Sequence, residues 1–195
     1  MEIVKPPKSK IIPSYRRFLF RAGMKANSNI PKEIEKRLLM ASNIGTELAE
    51  PIIFCEEVPV NTNGIKREFL PKKLQKSSLI RVFASSLGIG IDDEIKNLSK
   101  LNKILDATLL DAWASESLEA VNTWFDSVLR SRSGKATMRF SPGYGDMEIT
   151  RNYEILQRWL PNDKICADEK TGILKPRKST ICLIGWEVES GERNE

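Results

Sequence analysis

"SSLIRVFASSLGIGIDDEIKNLSKLN" runs from Ser77 to Asn102, and its middle decides between two fold classes. The portion "SSLIRVFASSLG" has the apolar, β-branched character of a buried strand. "IDDEIKNLSKLN" then opens a helix, with Asp92 and Asp93 in its first turn, where acids suit the positive end of the helix dipole. Between the two, Gly88 and Gly90 occupy the first two positions of a G-x-G-x-x-G dinucleotide fingerprint, the mark of a doubly wound parallel sheet. The third position is Asp93, however, and carboxylates at the helix N-terminus repel a pyrophosphate. The stretch is therefore read as a tight strand-to-helix turn, and the parallel nucleotide-binding architecture is set aside.

Working back towards the N-terminus, "PSYRRFLFRAG" predicts a first helix that stops at Gly23, and a second helix opens at Pro31 after polar Ser28 and Asn29. In the second, Ile34, Leu38, Ala41 and Leu48 recur at helical spacing, so one face packs on a core. "IIFCEEVPV" from Ile52 reads as a strand, "NTNG" as a hairpin turn with Asn63-Gly64 at its tip, and "IKREFL" from Ile65 to Leu70 as the return strand.

Towards the C-terminus, residues from about Ile104 to Arg130 form the longest helical segment. Leu110, Trp113, Leu118, Val121, Trp124, Phe125 and Val128 cover much of its circumference, which predicts extensive burial. One polar stripe remains on it: Ser115, Glu119, Asn122 and Asp126. A turn at "SRSGK", a strand through "ATMRF", a helix from about Ile149 to Leu160 ended by Pro161, and a final strand "STICLIGWEVE" complete the chain. Helices and hairpin-like strands in this irregular order predict an α+β fold: a single domain with a mostly antiparallel, twisted sheet flanked by helices.

Composition agrees with one domain. The 195 residues are 41% hydrophobic and 29% charged, enough apolar material for a core. No apolar run approaches the roughly 18 residues of a membrane helix, and the first residues lack a signal peptide's apolar stretch, so the expectation is a cytoplasmic protein that does not engage membranes. Cys55, Cys166 and Cys182 are too few and too widely spaced for a disulfide framework or a sulfur-rich zinc site. The chain has no histidine, which excludes Ser-His and Cys-His nucleophile pairs and any imidazole ligand to a metal. The net charge of +5 raises the alternative of a nucleic-acid-binding module, but the cations are dispersed; "KPPKSK" and "LPKKLQK" lie in Pro-broken sequence. "GILKPRKST" nearly spells a phosphate-binding loop, but Arg177 stands at its second glycine position and a strand, not a helix, follows Ser179.

The densest cluster of recognition groups is "RFSPGYGD", Arg139 to Asp146. Pro142-Gly143 makes a tight turn that lets backbone approach a ligand, Arg139 can grip a carboxylate, and Tyr144 offers an aromatic face and a hydroxyl. Composition alone leaves open a plain strand-turn-helix connection with Asp146 as the helix N-cap. Similarly, Glu119 inside an apolar helix must either face water or meet a buried partner.

"RFSPGYGD" resembles the R-x-[AS]-P-G-Y motif of the S-adenosylmethionine-binding reactivation domain of cobalamin-dependent methionine synthase. Three further stretches resemble that family in order: "FASSLGIGIDDEI", "LLDAWASESLEAVNTWFD" with a Glu in its L-x-E-A context, and the late G-x-x-x-P-x-K-S loop in "TGILKPRKST". The resemblance covers most of a single 1–195 domain and is loose over the helical N-terminal part, 1–60. Glu148 departs from the family, which often has proline four residues after the motif tyrosine.

The resemblance implies a methionine synthase activation domain-like fold and a part in reductive methylation. An electron from a flavodoxin- or ferredoxin-type donor and a methyl group from S-adenosylmethionine restore methylcobalamin on an oxidised partner. By the resemblance, Arg139 binds the methionyl carboxylate, the backbone around Ser141, Pro142 and Gly143 contacts the adenine, and Tyr144 lies near the corrin. Glu119, with Ser115 one turn earlier, faces the cationic end of the ligand, and Lys178 and Ser179 support the site. No residue here acts as a catalytic group or metal ligand, because cobalt and sulfonium carry the chemistry. With no histidine the cobalt-ligating D-x-H-x-x-G motif is missing, so the implied partner is a separate cobalamin-loaded methionine synthase or other corrinoid protein. An assembly factor for such a protein, without methylation, is the related alternative.

Overall fold

The computed structural model describes residues 1–25, 29–132 and 136–186. Four strands, β1 (Glu2–Val4), β2 (Ile52–Pro59), β3 (Leu79–Ser86) and β6 (Ser179–Trp186), form one sheet in the order β1-β2-β3-β6. Every pairing in it is antiparallel, with Phe54 opposite Ala84 and Phe83 opposite Cys182. A separate antiparallel ribbon joins β4 (Cys166–Ala167) to β5 (Leu174–Lys175). The architecture is α+β, as the irregular order of elements predicts.

Strand alternation sends apolar side chains to both faces, so both faces must be covered. Ile53, Cys55, Phe83, Cys182 and Ile184 enter a core shared with helices α1 (Tyr15–Arg21), α2 (Lys32–Leu48), α3 (Gly90–Lys100) and α4 (Ile104–Arg132). Phe54, Val58, Ile80, Val82, Ala84, Ile181 and Leu183 enter a second core, closed by α5 (Arg151–Trp159) and by residues of the irregular connections. Helix α4 is the spine of the helical layer, with Trp113, Val121 and Leu129 fully buried. At Gly45 of α2, a Cβ would lie 2.2 Å from the Trp113 ring, so glycine is what lets α2 approach α4 this closely.

Sequence expectations hold for α1 and its stop near Gly23, for α2 after Pro31, for β3, α3, α4 and β6. Three do not. Ile65–Leu70 is not a return strand: β2 pairs with β3 on one edge and β1 on the other, so no edge is left for it. Ile65 N–H closes the turn on the Pro59 carbonyl, and Ile65 and Leu70 plug the second core from either side of a short helical turn, Arg67–Phe69. "ATMRF" makes only two bridges to β6, Ala136 to Trp186 and Phe140 to Leu183, instead of a continuous strand. Asp146 does not cap α5, whose N-cap is Thr150; its carboxylate accepts the Lys72 N–H at 3.0 Å. Part of the turn expected at "SRSGK", residues 133–135, and the last residues of the final strand, 187–189, lie outside the described residues, as does Ser28. Among the described residues no helix is long and apolar enough to cross a membrane.

Candidate functional site

Residues 136–147 leave α4 and run beside β6, and four contacts fix their path. Arg130, held by Asp126 at 2.9 Å, donates to the carbonyls of Ala136 at 3.3 Å and Thr137 at 2.6 Å. Thr137 N–H bonds the Gly185 carbonyl, and Phe140 exchanges both backbone hydrogen bonds with Leu183 at 2.9 and 2.7 Å. Arg139 is thereby set between two β6-anchored residues, and its side chain forms an ion pair with Glu119 of α4.

The chain then turns at Pro142-Gly143. Gly143 has φ +91°, in the left-handed region that glycine tolerates, and its N–H reaches the Met147 carbonyl at 2.8 Å. Met147 and Pro142 are buried and anchor the loop, leaving Tyr144 70% exposed at its tip. Asp146, bonded to the Lys72 backbone, ties the loop to the connection between β2 and β3.

These elements enclose a cleft of about 310 Å3, lined by Glu119, Asn122, Arg139, Phe140, Ser141, Tyr144, Thr180 and Cys182. On the other side of Ser141, Tyr144 and Thr180 lies a second compartment of about 240 Å3, walled by Pro142, Ile149, Asn152, Gly172, Ile173 and Ser179 among others. Gly172 is at φ +68°, and a Cβ there would meet the Ile149 carbonyl oxygen at 2.2 Å, so that wall depends on glycine.

Each lining includes one residue that carries an unsatisfied buried polar atom. In the first, Nη1 of Arg139 is buried without a hydrogen-bond partner, while Nη2 is engaged by Glu119. In the second, Asn152 donates Nδ2 to the Gly172 carbonyl at 3.0 Å, and its buried Oδ1 accepts nothing. A buried polar group without a partner costs about 1–3 kcal/mol, so a ligand group that reached either atom would be favoured. The arrangement offers a cationic donor for a carboxylate at one end and an acceptor for an N–H or O–H group at the other.

The polar stripe of α4 is used residue by residue. Asn122 accepts a hydrogen bond from Ser85 at 2.6 Å in the core, Asp126 holds Arg130, and Glu119 holds Arg139. Ser115 faces elsewhere: Lys178 Nζ donates to its Oγ at 2.9 Å and pairs with Asp111 at 2.8 Å. The structure thus brings Arg139, Glu119, Ser141 and Tyr144 together around one hollow, with Pro142 and Ser179 beside the second. Gly143 shapes the turn, Ser179 Oγ bonds Ser86 Oγ at 2.9 Å, and Ser115 and Lys178 form a neighbouring cluster outside both linings. Lys178 is nearly buried, and its backbone carbonyl accepts the Leu87 N–H, which joins the late loop to the end of β3.

Asn122, Thr180, Cys182, Asn152 and Gly172 also line the hollows, and the sequence expectations do not include them among the site residues. For Cys182 and Thr180 the register of β6 beside "RFSPGY" was the needed signal, and it is a long-range pairing. Burial pushes the Cys182 thiol above its ordinary range, so it is a neutral wall 3.5 Å from Ser141 Oγ. Among the described residues no group of three or more His, Cys, Asp or Glu is placed to hold a metal ion.

No protein-family model and no curated protein matches the sequence. The coordinates do match a solved structure, the MetH reactivation domain bound to AdoHcy, with a TM-score of 0.66 over 97% of this chain and 79% of that chain. Sequence identity is 12%, so the likeness establishes architecture. The motifs and the coordinates lead to the same domain: this chain has the fold of the methionine synthase (MetH) reactivation domain.

Proposed function

We propose that this protein binds S-adenosylmethionine in the Arg139 cleft and supports reductive methylation of cob(II)alamin carried by a separate polypeptide. The observation that carries the reading is the buried, unpartnered Nη1 of Arg139, in a fold whose solved counterpart was determined with AdoHcy. Arg139 donates Nη1 to the methionyl carboxylate while Glu119 keeps the guanidinium in place. The Glu119 carboxylate, at the cleft edge, favours the cationic end of the ligand. The adenosine end occupies the compartment beyond Ser141, whose lining includes Asn152 with its unpartnered Oδ1.

When bound, the partner's cob(II)alamin, one electron from a flavodoxin- or ferredoxin-type donor and S-adenosylmethionine would supply the chemistry, giving methylcobalamin and S-adenosylhomocysteine. This chain's contribution is orientation. By holding the carboxylate and the adenosine it would orient S-adenosylmethionine in the cleft beside exposed Tyr144, which turns an encounter of two large cofactors into a positioned transfer. The partner is cobalamin-dependent methionine synthase or another corrinoid protein.

The test is to mix this protein with cob(II)alamin-loaded methionine synthase, a reductant and S-adenosylmethionine, and follow the corrin spectrum. Methylcobalamin should form faster than in the control lacking this protein. Equal rates in both would remove the reading.

A further inference from the structure

A further hollow, of about 910 Å3, lies outside the cleft, between α1 and α4. Arg16, Arg17, Phe20 and Arg21 of α1 form one wall, and Glu116 and Glu119 of α4 the other. Glu119 belongs to both linings, so this hollow adjoins the Arg139 cleft at that residue.

Its residues fall into two groups. Arg21 is structural: its Nε and Nη2 both grip Oε1 of buried Glu116, at 2.8 and 2.6 Å, fastening α1 to α4 beside the buried Phe18 and Leu19. Arg16 and Arg17 are exposed and carry no ion pair among the described residues. Phe20 is 82% exposed although it lines the same hollow. An aromatic ring left in water between two unpaired arginines has the composition of an interface centre, where aromatic residues and Arg are enriched.

Resting on the reading above, we infer that this α1 face docks the corrinoid protein through an acidic patch on that partner's surface. The cleft exchanges a methyl group with a cofactor on another chain, so the partner must cover the cleft mouth. The surface adjoining that mouth through Glu119 is the α1 face. Discrete partner carboxylates meet Arg16 and Arg17, and a partner apolar group covers Phe20. A nucleic-acid strand fits less well, because the two unpaired arginines of α1 offer little to a continuous run of phosphates.

The test uses Arg16→Glu/Arg17→Glu and, separately, Phe20→Ala, with cob(II)alamin-loaded methionine synthase as the probe. Association is measured at several salt concentrations, beside S-adenosylmethionine affinity, the corrin assay and thermal melting. The double charge reversal should weaken association about tenfold or more, mainly through the on-rate, and remove most of its salt dependence. Phe20→Ala should speed dissociation several-fold. Neither should change S-adenosylmethionine affinity or melting temperature, since these side chains are solvent-exposed.

Unchanged association of the charge-reversed variant, with wild type restoring methylcobalamin, overturns this inference and leaves the functional reading standing. Charge-sensitive association without methylcobalamin formation supports the docking face and removes the reductive-methylation reading. No association of the wild type overturns the inference. Tight, salt-sensitive capture of single-stranded oligonucleotide through Arg16 and Arg17 would also overturn it, in favour of nucleic acid.

Discussion

Among the described residues, four helices on one face of the sheet bury Trp113, Phe125 and Leu38 in regular structure; on the other face α5 alone is a full helix, and loops supply much of the covering layer. The candidate cleft opens where the two kinds of layer meet. Glu119 and Asn122 come from a helix 29 residues long, and Arg139, Ser141 and Tyr144 come from a loop pinned along β6. The helical face contributes rigidity. The loop face contributes exposed backbone and turns that only glycine fits, which is what close approach to a ligand needs.

If this division is right, damage to the two faces should have different signatures. The largest effect is expected on the helical face. Trp113→Ala removes a fully buried ring packed over Gly45 and should lower unfolding stability by about 3–5 kcal/mol in urea titration, with ligand affinity lost only through unfolding. On the loop face, Gly172→Ala places a Cβ against the Ile149 carbonyl at a positive φ. The expected cost is about 1–3 kcal/mol, with weakened S-adenosylmethionine binding even in molecules that remain folded.

The smallest effect belongs to the sheet between them. Burial pushes the Cys55 thiol up to about 12 from its ordinary 9.0. Above pH 9 the unfolded chain releases a proton that the folded chain retains, so stability falls as pH rises through that window. Urea midpoints should decline from about pH 9 upwards, and Cys55→Ala should make the decline shallower; an unaltered slope would show that Cys55 does not contribute to it.

The same contrast explains what could be read from the sequence. Helices α2, α3 and α4 and strand β3 carry their own signals in apolar spacing, first-turn acids and β-branched runs, so local reading finds them. Ile65–Leu70 has a strand's composition, and the reason it is not one lies elsewhere: β1 and β3 occupy both edges of β2. Asp146 looks like a cap, yet its partner is Lys72, 74 positions away.

The site divides in the same way. Arg139, Ser141 and Tyr144 are neighbours within one motif, and their common cleft follows from local geometry. Glu119 joined them through the family resemblance. Asn152 and Thr180 come from segments whose meeting depends on the β6 register and the Gly172 turn, and no local pattern announces it. Ser115 shows the opposite failure, since helical spacing aligns it with Glu119 while Lys178, arriving from β6's leading loop, takes its hydroxyl.

The central claim is that the free Nη1 of Arg139 waits for a ligand carboxylate. Calorimetric titration of S-adenosylmethionine into the wild type and Arg139→Ala tests it most directly. The wild type should bind saturably at one site, and the variant should bind roughly 10- to 100-fold more weakly, as expected for losing a charge-assisted hydrogen bond, with its melting temperature little changed. Equal affinities of two folded proteins, or no binding to the wild type, would contradict the account.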